Sequence, residues 1–266
     1  MDLLYSASGF AVGMLVGITG VGGGSLMTPL LVFLFGFQPA VAVGTDLLYA
    51  ALTKTGGVFV HHGKHQSVDW RVVALLSAGS LPLAIATLLV IRYLMSIGTE
   101  VTGAISYSLG VALILTSTAL LVRAALLRGR TRAVEHDASM QSSARFSSME
   151  IPATILVGAV LGVLVTLSSV GAGALGTVAL LFLYPRASTL KIVGTDLAHA
   201  IPLTAVAGVG HWLLGNVNFV LLGSLLIGSL PGIWIGSHLS AKIPEQWLRP
   251  FLALILMIIG LKFVLS

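Results

Sequence analysis

Marked as apolar and polar positions, the chain resolves into ten apolar segments joined by short polar stretches. They run over about 3–19, 24–36, 43–60, 71–94 and 101–123, then over 152–168, 172–184, 192–213, 219–240 and 247–265. Stretches such as 101–122 and 247–265 are mostly apolar for ~18 residues or more, enough to cross a bilayer core of about 30 Å as a helix. Two segments differ from the rest. The second of each run, 24–36 and 172–184, has around 13 residues where about 20 are usual for a span. The pattern predicts an all-α polytopic membrane protein.

The ten segments are five written twice. "VGGGSLMTPLL" (21–31) aligns with "VGAGALGTVAL" (170–180), "VGTDLLYA" (43–50) with "VGTDLAHA" (193–200), and "GSLP" (79–82) with the same letters at 228–231. All three pairs keep one order at an offset of 149 or 150 residues, the mark of an internal duplication. Residues 1–123 form a first transmembrane repeat and 151–266 a second. The Arg- and Ser-rich stretch 124–150 reads as a solvated linker.

Composition agrees with the pattern. The chain is 56% hydrophobic and 9% charged, with a mean hydropathy of +1.03, against the ~25% charged residues of soluble domains. Asp2 is the only charge in "MDLLYSASGFAVGMLVG", so the first segment is expected to stay as a span rather than leave as a signal peptide. There is no cysteine, hence no disulfide or thiolate chemistry. The net charge of +5 suggests cytoplasmic loops rather than nucleic acid.

Charge also orients the spans. With the linker and its arginines Arg123, Arg128, Arg130, Arg132 and Arg145 in the cytoplasm, five crossings per repeat put Lys64, Arg71, Arg186, Lys191, Lys242 and Arg249 inside. Four crossings would move the last four outside. An odd number turns the second repeat upside down and places both termini outside, the inverted-repeat design of many secondary transporters.

The chemistry gathers where the apolar runs break. Gly20, Gly22, Gly23 and Gly24 interrupt the first repeat before Ser25; Ser168, Ser169, Gly171 and Gly173 interrupt the second. Unwound backbone at membrane depth is tolerated only where protein or a water-filled cavity satisfies it. A short helix after each break would present free N–H groups and a positive dipole end, and glycines let an oxyanion approach the backbone. Two such ends favour a small anionic solute near the midplane; close packing of small residues is the structural alternative.

The "VGTD" blocks add Thr45 with Asp46 and Thr195 with Asp196. Ionisable residues within spans mark functional sites by default, although these four also suit the N-caps of the third segments. The repeats diverge nearby: Lys54 stands where the second has Thr204, and His199 answers to Tyr49. Lys54 is placed to pair with Asp46 or Asp196, to meet an anion, or to snorkel to the interface. Asp46, Asp196 and His199 are candidates for a coupled proton. His61 and His211, at matching segment ends, are candidates for a pH-sensitive gate or are simply solvated. No histidine spacing makes a metal site. Without G-x-S-x-G, P-loop or H-E-x-x-H motifs, neither enzymatic activity nor a cofactor is expected.

The glycine break with its proline ("GVGGGSLMTPLL"), the "VGTDL" block, "HHGKHQSVDW" and "GSLP", each echoed about 150 residues on, resemble the TauE/SafE family of sulfite and organosulfonate exporters over nearly the whole chain. The resemblance implies export of sulfite, thiosulfate or an organosulfonate such as sulfoacetate across the bacterial inner membrane. An anion channel or uniporter, or an importer, would use the same site. The expected anion site comprises Gly22, Gly23, Gly24, Ser25, Thr45, Lys54, Ser168, Ser169, Gly171, Gly173 and Thr195. The expected partners are the small anion and the lipid bilayer, with no nucleic acid; a homodimer is left open. The chain departs from the family pattern in placing Asp46 and Asp196 where a small hydroxyl residue is typical. It also has Val178 opposite Pro29, and "GNVNF" (215–219) where an Asp-Trp pair is expected.

Overall fold

A computed structural model describes residues 3–19, 24–65, 68–134, 150–239 and 245–265. The first run of helices is α1 (Leu3–Thr19), α2 (Gly24–Phe33), α3 (Pro39–His65), α4 (Trp70–Ser96) and α5 (Thr102–Val134). The second is α6 (Glu150–Ser168), α7 (Leu175–Leu183), α8 (Thr189–Leu213), α9 (Phe219–Leu239) and α10 (Glu245–Leu265). Among the described residues there is no strand. Helices α4, α5, α6, α8 and α9 are long and apolar enough to cross a membrane, and α1 and α10 contribute shorter apolar stretches.

Helix starts follow local chemistry. Pro39 opens α3, where its missing N–H costs nothing and its fixed φ suits the first turn. Ser188 caps α8 by accepting from the Lys191 amide. Asp69 caps α4 through the Arg71 and Val72 amides, and Asn218 accepts from Leu221 at the head of α9. Asn218 therefore does for α9 what Asp69 does for α4, in the segment where the family pattern leads one to expect Asp-Trp.

Two readings of the apolar pattern change. The third segments begin before the VGTD blocks, so Asp46 and Asp196 lie inside α3 and α8 and do not cap them. The fifth segment does not stop at residue 123. Helix α5 continues to Val134, because 124–134 contains no proline and only one glycine to end it.

The two runs interlock. α1 lies against α9, and α6 lies against α4, so each pair joins one half of the chain to the other. At these contacts small residues bring backbones together, as membrane helices require. Gly9 and Gly13 sit on the backbone of Leu225 and Ser229, while Gly228 and Gly232 sit on Ser6 and Phe10. Gly79 meets Ile155, and Gly158 and Gly162 meet Leu76 and Ser80. Helices α3 and α8 pack together inside, as do α5 and α10. Outward, α4 and α9 expose Leu83, Ile85, Leu89, Val220, Ile227 and Trp234, an apolar rim suited to lipid.

Candidate functional site

Between α6 and α7 the chain leaves helical geometry at 169–174. Ser169 has φ 58°, a left-handed conformation uncommon for serine, and Gly171 and Gly173 have φ 113° and 126°. Gly171 O accepts from the amides of Leu175 and Gly176. Among the described residues, the amides of Gly171, Ala172, Gly173 and Ala174 have no hydrogen-bond partner. Four consecutive unpaired N–H groups in a largely buried turn are rare in proteins. Ser168 serves the turn itself: its hydroxyl bonds Leu164 O and accepts from the Val170 amide.

Helix α3 delivers the charge. Lys54 is 7% exposed, and its Nζ donates to Ala172 O at 3.1 Å. A cation from the first half of the chain is thus fixed to the broken backbone of the second. It does not snorkel, and no carboxylate lies within 4.0 Å of it among the described residues. Asp46 and Asp196 act on it through space.

Those aspartates sit where the half-helices begin. Thr28 Oγ1 donates to Asp46 Oδ2 at 2.5 Å, and the Thr28 amide also points at that carboxylate. In the second half, Thr177 Oγ1 lies 2.8 Å from Asp196 Oδ2, and the Thr177 amide faces the carboxylate. Both aspartates are buried, at 0% and 1% exposure, and each Oδ1 has no hydrogen-bond partner. The equally unpartnered Ser169 hydroxyl of the other half stands near the Asp46 carboxylate. Asp196 Oδ1 rests on Gly176, where any Cβ would collide with it.

Arg123, at the boundary of the polar linker, is only 6% exposed, and its charge acts on Asp196. Its position beside a run of loop arginines gave no hint of burial. Thr28 and Thr177 were also missed as candidates, although their signal was present: they align in the duplicated blocks.

The other expected residues divide. Thr45 Oγ1 accepts from the Asn218 amide at 3.0 Å and Thr195 Oγ1 from the Asp69 amide at 2.9 Å, so both hydroxyls tie down the heads of helices α9 and α4. Asp69 continues the second joint through an ion pair with Lys191 at 3.1 Å. Buried His199 bonds Ser80 through Nε2 at 2.8 Å. Its counterpart Tyr49 faces Ser229, so the "GSLP" serines meet corresponding residues across the halves. His211 is fully buried rather than solvated: Nε2–H donates to Thr166 O at 2.9 Å and Nδ1 faces the Asn216 amide. It lies outside the aspartate cluster. Ser25 is buried in α2, which Gly24 opens. Gly20, Gly22 and Gly23, and the side chain of His61, lie outside the described residues.

Among the described residues, no three His, Asp or Glu side chains come together as metal ligands. The constellation combines unpaired amides, two buried cations and two threonine-held carboxylates at the amino ends of short helices. Such an arrangement can bind and release a small charged solute.

The sequence matches the family model described as "Sulfite exporter TauE/SafE" over residues 5–263. It is 37% identical over 268 residues to "Probable membrane transporter protein YjnA" of Bacillus subtilis (strain 168), covering 99% of this chain and 100% of that one. It is also 40% identical over 74 residues to "Probable membrane transporter protein YunE" of the same organism, covering 28% and 27% of the two chains. No solved structure matches. The names of the family and of both relatives are those of transporters rather than enzymes. With five long apolar helices behind that match, the chain is a multi-pass membrane protein that belongs to the TauE/SafE sulfite exporter family.

Proposed function

We propose that the protein is a secondary transporter that exports a small sulfur-containing anion, sulfite or an organosulfonate such as sulfoacetate, across the bacterial inner membrane by alternating access. The linker 124–150 faces the cytoplasm and both termini lie outside, the orientation that the arginine-rich loops favour. In this reading the two halves are inverted repeats, and their paired short helices lie near the midplane.

One observation carries the proposal. The unpaired amides of residues 171–174 lie in the same turn whose Ala172 carbonyl anchors the Lys54 ammonium. Backbone N–H groups and one buried cation are what a sulfonate or sulfite group needs once its hydration shell is removed. Gly171 and Gly173 let the anion reach that backbone, and Ser169 supplies a hydroxyl. The remaining hydroxyls of the expected set, on Thr45 and Thr195, join the site in another conformation, once the heads of α9 and α4 move away.

The test is counterflow in proteoliposomes. Vesicles preloaded with unlabelled sulfoacetate should accumulate labelled sulfoacetate transiently, with saturable kinetics. Linear flux without counterflow, or no flux of sulfite, thiosulfate or sulfoacetate, would overturn the reading.

A further inference from the structure

The two carboxylates occupy the ground that an anion would take. Each lies at the first turn of a short helix, against the amide of its own threonine. Asp196 goes further, since it sits on bare Gly176 and feels the charges of Lys54 and Arg123 through space. An ionised Asp196 is therefore a tethered competitor for any incoming anion. Placed next to a second negative charge in a site with little water, it would repel it strongly.

The two threonines are not in the same state. Among the described residues Thr28 has one acceptor, Asp46, and its hydroxyl hydrogen goes to that carboxylate. Thr177 directs its hydrogen to Gly173 O as well. A hydroxyl has one hydrogen and two lone pairs, so while Thr177 serves Gly173 its oxygen is an acceptor 2.8 Å from Asp196 Oδ2. Asp196 therefore has an acceptor for a proton in the very hydroxyl that holds it.

We propose that Asp196 is the built-in occupant of the anion site and that one proton is taken up by its carboxyl for each anion bound, removing the negative charge that would repel the anion. The proton bonds to Asp196 Oδ2 and is donated to Thr177 Oγ1. The proton offsets one unit of the negative charge that the anion brings beside Lys54 and the two aspartates; a dianion leaves its second charge to Lys54 and the unpaired amides. Among the described residues the charged groups around Asp196 are few. Helix α3 brings Lys54 and Asp46, α5 brings Arg123, and α4 brings Asp69, already paired with Lys191. Helix α7 has no titratable residue and α6 only Glu150 at its start. His199, on α8 itself, is bonded to Ser80. The inference rests on the proposed transport function and deepens it, since proton and anion would then cross together.

The experiment is calorimetry on the full-length protein in detergent, titrated with thiosulfate and with sulfoacetate, both fully ionised at about pH 6–8. Repeating each titration in buffers of different ionisation enthalpy gives the protons taken up per anion. Uptake of about one proton is expected, with affinity falling about tenfold per pH unit. Asp196→Asn should bind the anion with no proton uptake and no pH dependence. Binding by the native protein without proton uptake overturns this inference and leaves the transport reading standing. Absence of binding by either anion overturns both. If the variant fails to fold, the native protein's proton count still decides.

Discussion

Asp46 and Asp196 are built alike and live in different company. Each is buried inside the third helix of its half and held by a threonine of the short helix before it. Beyond that the halves part. Asp196 rests on Gly176, whose aligned residue is Met27, fully buried in an apolar cluster with Val12, Leu31 and Tyr49. Lys54 has only Thr204 as its counterpart, and Thr204 turns its hydroxyl back onto Ala200 O of its own helix. Duplication supplied matching aspartates and threonines, and the lysine that one half carries at position 54 bonds the Ala172 carbonyl of the other. Under the proposed function, symmetry serves the framework while asymmetry serves the solute.

Substitutions that make the halves alike test that division. Gly176→Met carries the first-half residue into the second and drives its side chain into Asp196. It should abolish anion binding and destabilise the fold by roughly 1–3 kcal/mol, read by thermal unfolding in detergent. The reciprocal Met27→Ala should lower stability by about 2–5 kcal/mol through a cavity while leaving binding in place. Loss of binding in both would show that the halves do not divide the labour.

A second swap is Lys54→Thr. It leaves Ala172 O without a donor and should cost about 1–3 kcal/mol, whereas Thr204→Val removes only a local bond and should cost under about 1 kcal/mol. The threonines offer a finer comparison. Thr28→Val deprives the Asp46 carboxyl of its donor and should cost roughly 1.5–3 kcal/mol; Thr177→Val, at the shared hydroxyl, should cost about 1 kcal/mol. Equal losses would erase the distinction between the two aspartates. The smallest effect belongs to Asp69→Asn, which gives α4 the cap that α9 already has. Only the partly exposed ion pair with Lys191 is lost, within about 1 kcal/mol by the same unfolding measurement.

Much of this was legible in the letters. The order of ten apolar segments corresponds one to one with the ten helices, because greasy runs of fixed length leave a membrane chain few alternatives. The break before α7 was visible through Gly171 and Gly173. Helix starts were less so: the VGTD blocks looked like caps until the helices were seen to begin earlier, at Pro39 and Thr189. Contacts between distant segments were not readable at all. Nothing local says that Ser80 meets His199, 119 residues away, or that Lys54 finds Ala172, 118 residues away. Arg123 was hidden by its neighbours, since a basic residue beside a basic linker looks solvated until α5 is found to run on to Val134.

The most direct test of the account is anion binding at Lys54. Equilibrium binding of labelled sulfoacetate or sulfite to purified protein should be saturable in the native chain. In Lys54→Thr, once its fold has been verified by circular dichroism, affinity should fall at least about tenfold, a loss of ~1.4 kcal/mol. Unchanged affinity in that variant would remove the cation from the site and contradict the account.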